Sequence, residues 1–300
     1  MITVDTRTLS AYLTDQARAI DHALDEWVPR EDVEPSSVHR AMRYSLFAGG
    51  KRIRPILAIS AARAVSDEHR GIEHAAVTLE LIHTYSLIHD DLPALDNDDM
   101  RRGRPTNHKV FGEAMAVLAG DALLTLGFEV LSRLNHVADK IKIRLVEELS
   151  RSAGTLEGMI GGQVYDIEGE RQTATPALLQ SIHRAKTGAL IRASVRMGAI
   201  YAGASDDQLL ALSDYGGHVG LAFQIVDDVL DVEQPSQALG KTAGKDQAQN
   251  KITFPGVHGI ARSREMAEEE RRLAHAALRN FDERADRLRQ IADFIVCRNA

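Results

Sequence analysis

The chain has a single cysteine in 300 residues, Cys297, close to its C-terminus. One thiol excludes an internal disulfide framework and fits a reducing compartment. Basic residues are not in excess: 36 against 43 acidic ones leave a net charge of −7, which argues against a general nucleic-acid binder. No stretch approaches the roughly 18 uninterrupted apolar residues of a membrane span, so stable membrane insertion is not expected. The start, "MITVDTRTLSAYLTDQARAID", lacks a basic segment followed by an apolar run, so no signal peptide is expected and a cytoplasmic location is. Alternating strand patterns bounded by hairpin turns are missing, as is any βαβ unit. Long linkers, low-complexity tracts and internal repeats are missing too.

What remains is a globular composition, 44% hydrophobic and 26% charged with only eight prolines, patterned as helix almost throughout. Leu9, Leu13, Ala17, Ile20 and Leu24 mark one face of a first helix. Ser36 or Ser37 could cap a second, which Gly49 and Gly50 would end. Further helices are expected over about 54–67, 71–91, 112–134, 138–160, 176–203, 206–233 and 261–296. The fold class expected is all-α: a single domain over residues 1–300, about ten helices around a central cavity lined by inward-facing side chains.

Against this background the segment "IHDDLPALDNDDMRRGRP" stands out. It crowds Asp90, Asp91, Asp96, Asp98 and Asp99 together, followed by Arg101, Arg102 and Arg104. Carboxylates this close raise one another's pKa unless a cation shares them. Alone, the segment could equally be a solvated loop of mixed charge. A second acidic group answers it: "GLAFQIVDDVLDV" holds Asp227, Asp228 and Asp231 in an otherwise apolar helix, with Asp227 and Asp231 on one face. Charges on a buried helix are costly unless paired or metal-bound. Carboxylate oxygens suit Mg²⁺, which keeps other positions for water and substrate phosphates. Two facing clusters would hold two or three such ions around a diphosphate.

Cations recur as well. "GGKRIRP" gives Lys51, Arg52 and Arg54 after a glycine pair that permits close backbone approach, and "LGKTAGKDQAQNKITFP" gives Lys241, Lys245 and Lys251. Each alone would more often be a surface charge. Lys186 differs, because Ile182, Ala185, Ala189, Leu190 and Ala193 around it are apolar. The spacing of a phosphate-binding P-loop is absent, so phosphates must be held by side chains and metal.

"GGKRIRP", "YSLIHDDLPALDNDDMRRGRPTNH", "GDALL", "GGQVYDI", "KTGALI", "FQIVDDVLDV" and "LGKTAGKD", in this order, resemble the trans-isoprenyl diphosphate synthases of the polyprenyl synthetase family, closest to the bacterial farnesyl type with four residues inside the first aspartate motif. The resemblance runs from about residue 40 to 260. It implies an allylic diphosphate on Mg²⁺ held by Asp90, Asp96 and Asp227, with Asp91, Asp228 and Asp231 as water-mediated or outer partners. Arg101, Lys186, Gln224, Lys241 and Lys251 would contact its phosphates or line its pocket. Isopentenyl diphosphate would bind without metal at Gly50, Lys51, Arg54, His83 and Arg102. The carbonyl of Lys186, the hydroxyl of Thr187 and the amide of Gln224 would stabilise an allylic cation. A homodimer is also implied. The ending "CRNA" departs from relatives that close the second substrate's site with further basic residues.

The resemblance makes Tyr85 the floor of a hydrocarbon pocket limiting products to fifteen carbons. On a helical wheel, however, Tyr85 lies about 140° from Asp90, while Ser86 and His83 lie within about 40°. Either the helix is distorted near Pro93, or the pocket is wide enough for Tyr85 and Ser86 both to border it. The rival readings are a geranyl or geranylgeranyl synthase, a terpene cyclase, and a non-catalytic subunit of a heteromeric synthase. The cyclase should lack "GGKRIRP" and the second triplet, and the subunit should lose aspartates that this chain keeps.

Overall fold

The computed structural model describes residues 8–233 and 251–298. Its helices are α1 Leu9–Trp27, α2 Ser36–Leu46, α3 Ile53–Val65, α4 Ile72–Asp90, α5 Asn107–Phe111, α6 Glu113–Ser132, α7 Asp139–Ala153, α8 Met159–Gly169, α9 Pro176–His183, α10 Ala189–Tyr201 and α11 Asp206–Glu233. Three more follow residue 250: α12 Phe254–His258, α13 Ile260–Ala277 and α14 Asp286–Cys297. The all-α expectation holds, with one exception among the described residues. β1 Met100–Arg101 and β2 Arg104–Pro105 form a two-residue hairpin around Arg102 and Gly103, both at positive φ.

Helices α3 and α4 are apolar all round and carry buried residues on every face, which makes them central rather than peripheral. Helix α4 packs against α6, α3, α1, α10 and α2, while α10 lies against α3, α11 and α7. Fully buried Leu79, Leu81 and Ile82 each contribute about 1.5–3 kcal/mol of hydrophobic stabilisation. The α3–α10 contact needs Gly198, since a Cβ there would lie 2.0 Å from the Ala58 carbonyl oxygen.

Several boundaries differ from the sequence expectation. Pro35, not a serine, precedes α2, and the Ser36 N–H donates to the Glu34 carboxylate (3.0 Å). Helix α2 stops at Leu46, three residues ahead of the glycine pair. The stretch 138–160 breaks after Ala153, where Gly154, Gly158 and Glu157 (φ 55°) interrupt it, and α8 starts at Met159. The stretch 176–203 is α9 and α10 joined by a π-helical turn, Arg184–Gly188. The stretch 261–296 divides at Leu278 into α13, a short 3₁₀ turn Glu283–Ala285 and α14. Among the described residues α6 is long and apolar enough to span a membrane, yet it carries Asp121 and Glu129 and buries one face against the bundle.

Candidate active site

Helices α4, α8, α10 and α11 and the π turn enclose a cavity of about 810 Å³. Its walls include thirteen residues singled out from sequence: Lys51, Arg54, His83, Tyr85, Ser86, Asp90, Asp96, Arg101, Arg102, Lys186, Thr187, Gln224 and Asp227. Gly50, Asp91, Lys251, Asp228 and Asp231 stand behind or beside that wall, and Lys241 lies outside the described residues.

At the acidic end, α4 delivers Asp90 at its last position. The chain then folds back, with the Asp96 N–H donating to the Asp90 carbonyl (2.8 Å) and the Asp98 N–H to the Asp91 carbonyl (3.1 Å). The four intervening residues thus form a closed loop that returns Asp96 beside Asp90. Neighbouring cations answer much of the repulsion. Buried Asp91 accepts from Arg101 Nε on both oxygens (2.9 and 2.9 Å), with Arg101 Nη2 at 2.7 Å. Lys251 reaches Asp96 (3.1 Å) and Lys109 reaches Asp99 (3.0 Å). Burial would raise the Asp96 carboxyl, but Lys251 and Lys186 beside it win and hold it down. Asp90 is different: burial outweighs Lys186, Asp96 adds repulsion, and its pKa is pushed up to about 6.

Across the cavity, α11 presents Asp227 and Gln224. Asp228 and Asp231 on the same helix are buried and do not line the cavity. Asp228 accepts from Gln224 Nε2 (2.7 Å) and from the Phe254 N–H (2.9 Å). Between the two acidic groups runs the π turn, a widened helical geometry that often marks functional positions. It sets Lys186 Nζ on Asp166 (2.5 Å) and Thr187 Oγ1 on Gln224 Oε1 (2.7 Å). Gly162 of α8 permits this, because a Cβ there would lie 2.1 Å from the Lys186 backbone nitrogen.

The opposite end is cationic. Lys51, Arg54 and Arg102 all have pKa values lowered, first by burial. Arg54 Nε is buried without a hydrogen-bond partner. His83, buried among Arg54, Arg102 and Arg101, is held well below the usual imidazole range and is neutral. Gly50 lets the backbone lie against the Arg102 guanidinium, which also donates to the Gly49 carbonyl. Arg52 does not belong to this set. It turns away to a buried pair with Glu80 (2.6 Å), plus Asp21 (2.8 Å) and the Leu46 carbonyl (2.7 Å). The cavity therefore has a carboxylate-rich end, answered in part by Arg101, Lys186 and Lys251, and an end dominated by basic groups.

The polyprenyl synthetase family model matches residues 35–295. The chain belongs to that family. Its relatives include the farnesyl diphosphate synthase of Geobacillus stearothermophilus, 44% identical over 97% of this chain and 98% of that one. The large subunit 1 of a heterodimeric geranylgeranyl pyrophosphate synthase from Arabidopsis thaliana is 47% identical over 96% of this chain and 79% of that one. An FPP/GFPP synthase from Zymomonas mobilis superposes with a TM-score of 0.86 at 35% identity, covering 96% of this chain and 99% of that one. As a polyprenyl synthetase the chain is a prenyltransferase of isoprenoid biosynthesis. The family uses isopentenyl and allylic diphosphates and depends on a divalent metal.

The carboxylates fit such a metal. Among the described residues no three acidic or histidine side chains form a closed metal site. Asp90, Asp96 and Asp227 instead offer hard oxygens from two walls, and burial, which raises the pKa of Asp90, leaves there a carboxylate that a bound cation would stabilise in its ionised form.

Sequence reasoning missed several residues. Asp166 was signalled only indirectly, by a lysine among apolar neighbours that had to have a counterion. Arg298, within the ending read as a departure, reaches the cavity, pairs with Asp227 (2.5 Å), donates to the Phe223 carbonyl (3.0 Å) and lies over the Phe223 ring (4.0 Å). Gln163, Met159, Ile160 and Val164 of α8 also line the cavity but were not assigned to it, because residues 161–169 were not expected to be helical. Tyr85 and Ser86 both border the cavity. Helix α4 ends at Asp90, ahead of Pro93, so a wide pocket accounts for their shared position.

Proposed function

We propose that this chain is a Mg²⁺-dependent head-to-tail prenyltransferase that joins isopentenyl diphosphate to dimethylallyl or geranyl diphosphate, releasing diphosphate and yielding farnesyl diphosphate. The observation that carries this reading is one cavity with acidic and basic ends and Lys186, Thr187 and Gln224 between them. The metal-binding set is Asp90, Asp96 and Asp227, with Asp91, Asp228 and Asp231 as water-mediated or outer partners that do not line the cavity, and two or three ions per site. Bound there, Mg²⁺ supplies charge that stabilises the departing diphosphate.

The chain's own groups do the rest. Arg101, Lys186, Lys241 and Lys251 add fixed positive charge where negative charge grows on the leaving group. Lys51, Arg54, Arg102 and neutral His83, beside the Gly50 backbone, hold the second diphosphate without metal. Arg54 Nε, buried and unpaired, gains a partner when that anion arrives. The π turn and Gln224 face the allylic carbon with the Lys186 carbonyl, the Thr187 hydroxyl and the Gln224 amide oxygen, which stabilise a cation without reacting. The apolar wall of Met159, Ile160, Val164 and Leu190 excludes water that would quench it. The double bond of isopentenyl diphosphate attacks the cation, and the departed diphosphate takes the proton.

A longer product, geranylgeranyl diphosphate, is the second reading, favoured by relatives carrying that name. Tyr85 on the cavity wall supports the shorter one. The exposed apolar residues Val117 and Leu118 of α6 support a homodimer. Residues 1–300 are read as one domain of a cytoplasmic enzyme without nucleic-acid or stable membrane partners. The test is incubation of the purified chain alone with Mg²⁺, isopentenyl diphosphate and either dimethylallyl or geranyl diphosphate. Fifteen-carbon product is expected from both, twenty-carbon product favours the second reading, and no product from the chain alone supports a non-catalytic subunit.

A further inference from the structure

Asp228 stands one position beyond Asp227, yet its carboxylate is buried behind the cavity wall rather than in it. Its Oδ1 accepts from Gln224 Nε2 (2.7 Å) and its Oδ2 from the Phe254 N–H (2.9 Å). His183, which donates to the Ile252 carbonyl (3.3 Å), lies 3.7 Å from Oδ2. These contacts have a directional consequence. An ionised carboxylate only accepts, so the Gln224 amide must turn its NH₂ toward Asp228. Its oxygen then faces Thr187, 2.7 Å away. That oxygen cannot donate, so the Thr187 hydroxyl gives it its single proton and keeps its lone pairs for other directions. Both Gln224 and Thr187 line the cavity.

We propose that Asp228 is a positioning residue that fixes the polarity of this relay, so that the cavity meets the electron-rich oxygens of Gln224 and Thr187 and not their protons. The inference rests on the prenyl-transfer reading, in which positive charge develops at the allylic carbon between these groups. Oxygen lone pairs stabilise that charge, whereas protons pointing the same way oppose it. The middle aspartate thus acts through Gln224 and Thr187, by setting the sign of the field, rather than by holding metal.

Asp228→Asn tests this with almost no change of shape. The Phe254 N–H still requires an acceptor, so the new side-chain amide keeps its oxygen there and turns its NH₂ to Gln224. Two NH₂ groups cannot bond each other, so the Gln224 amide turns over and the Thr187 hydroxyl becomes an acceptor with its proton toward the cavity. The readout is binding, with Mg²⁺, of two bisphosphonates of equal size, one with a protonated nitrogen where the allylic C1 would lie and one with carbon. Asp228→Asn should cut the preference for the cationic probe by about tenfold. It should lower kcat about 10²-fold or more. The half-saturating Mg²⁺ should stay within about threefold, because hydrogen bonding and not coordination is lost.

The double variant Asp228→Asn/Gln224→Glu restores an acceptor between the new amide and Thr187, and should recover the preference to within about threefold of the parent. An unchanged preference in folded Asp228→Asn overturns the proposal, as does a tenfold rise in its Mg²⁺ requirement. If the single variant fails to fold, the double variant decides: a retained cationic preference supports the proposal and its loss overturns it. Probe binding needs no turnover, so absence of condensation by the parent protein would refute the prenyl-transfer reading separately.

Discussion

Replacing Tyr85 isolates what ends chain growth. Tyr85 sits five residues before Asp90 on α4, roughly 7.5 Å further along the helix axis. It is 5% exposed and borders the cavity, with its ring edge-on to His89 at 5.7 Å between centroids. Its hydroxyl is buried without a partner, and burial followed by the Asp90 charge pushes its pKa up to about 12. Each added isoprene unit lengthens an extended product by about 5 Å, four bonds of about 1.5 Å in zigzag. Loss of the ring therefore opens room for about one more unit. Tyr85→Ala should shift the main product from fifteen to twenty carbons or longer. The emptied space should cost about 3–5 kcal/mol. In a chain of this size that lowers Tm by about 5–8 °C. Tyr85→Phe keeps the ring and discards only an unpaired hydroxyl, so it should keep the fifteen-carbon product and gain up to about 1 kcal/mol. The assay is mass spectrometry of products from geranyl diphosphate with excess isopentenyl diphosphate, alongside thermal melts. Tyr85→Ala that melts lower as expected yet still stops at fifteen carbons would refute the floor. Equal elongation by Tyr85→Phe would refute the role of the ring.

Asp90→Ala and Asp227→Ala should each lower kcat by about 10²–10³ or more at saturating Mg²⁺ with the helical circular dichroism preserved, and near-normal rates would remove the metal assignment. Lys51→Ala and Arg102→Ala should raise KM for isopentenyl diphosphate more than for the allylic substrate, and Arg101→Ala and Lys241→Ala the reverse, or lower kcat. Equal effects on both substrates would cancel that division of the cavity. The Asp90 carboxyl has a folded pKa of about 6 against an ordinary 3.8. Between those values the folded chain binds a proton that the unfolded chain has lost, so stability in chelator falls as pH rises from about 4 to 6. Asp90→Asn should accordingly be more stable than the parent at pH 7, by about 3 kcal/mol, and the gain should largely vanish near pH 4; a pH-independent difference would contradict the shift.

Periodicity made the helices legible, because buried faces such as Ile20 and Leu24 of α1 repeat at helical spacing. It could not find the breaks. The interruption at Gly154–Gly158 and the division after Ala277 depend on backbone packing, and the π turn at Arg184–Gly188 continues an apolar pattern without a signal of its own. Most cavity-lining residues were legible as dense local clusters, since carboxylates at Asp90, Asp96 and Asp227 make little sense apart. What the clusters hid was direction. Arg52 reads like Lys51 and Arg54 but serves Glu80, and Asp91 and Asp228 read like Asp90 and Asp227 but spend their oxygens on Arg101, Gln224 and Phe254. Arg298 was hidden by distance, 71 residues from its partner Asp227.

The measurement closest to the central claim is a stoichiometric one. The purified chain alone, given equal amounts of geranyl and labelled isopentenyl diphosphate, should form one farnesyl diphosphate for each diphosphate released. Excess chelator should stop the reaction, and added Mg²⁺ should restore it. Diphosphate release without a new carbon–carbon bond, or condensation untouched by the chelator, would contradict the assignment of the two ends of the cavity.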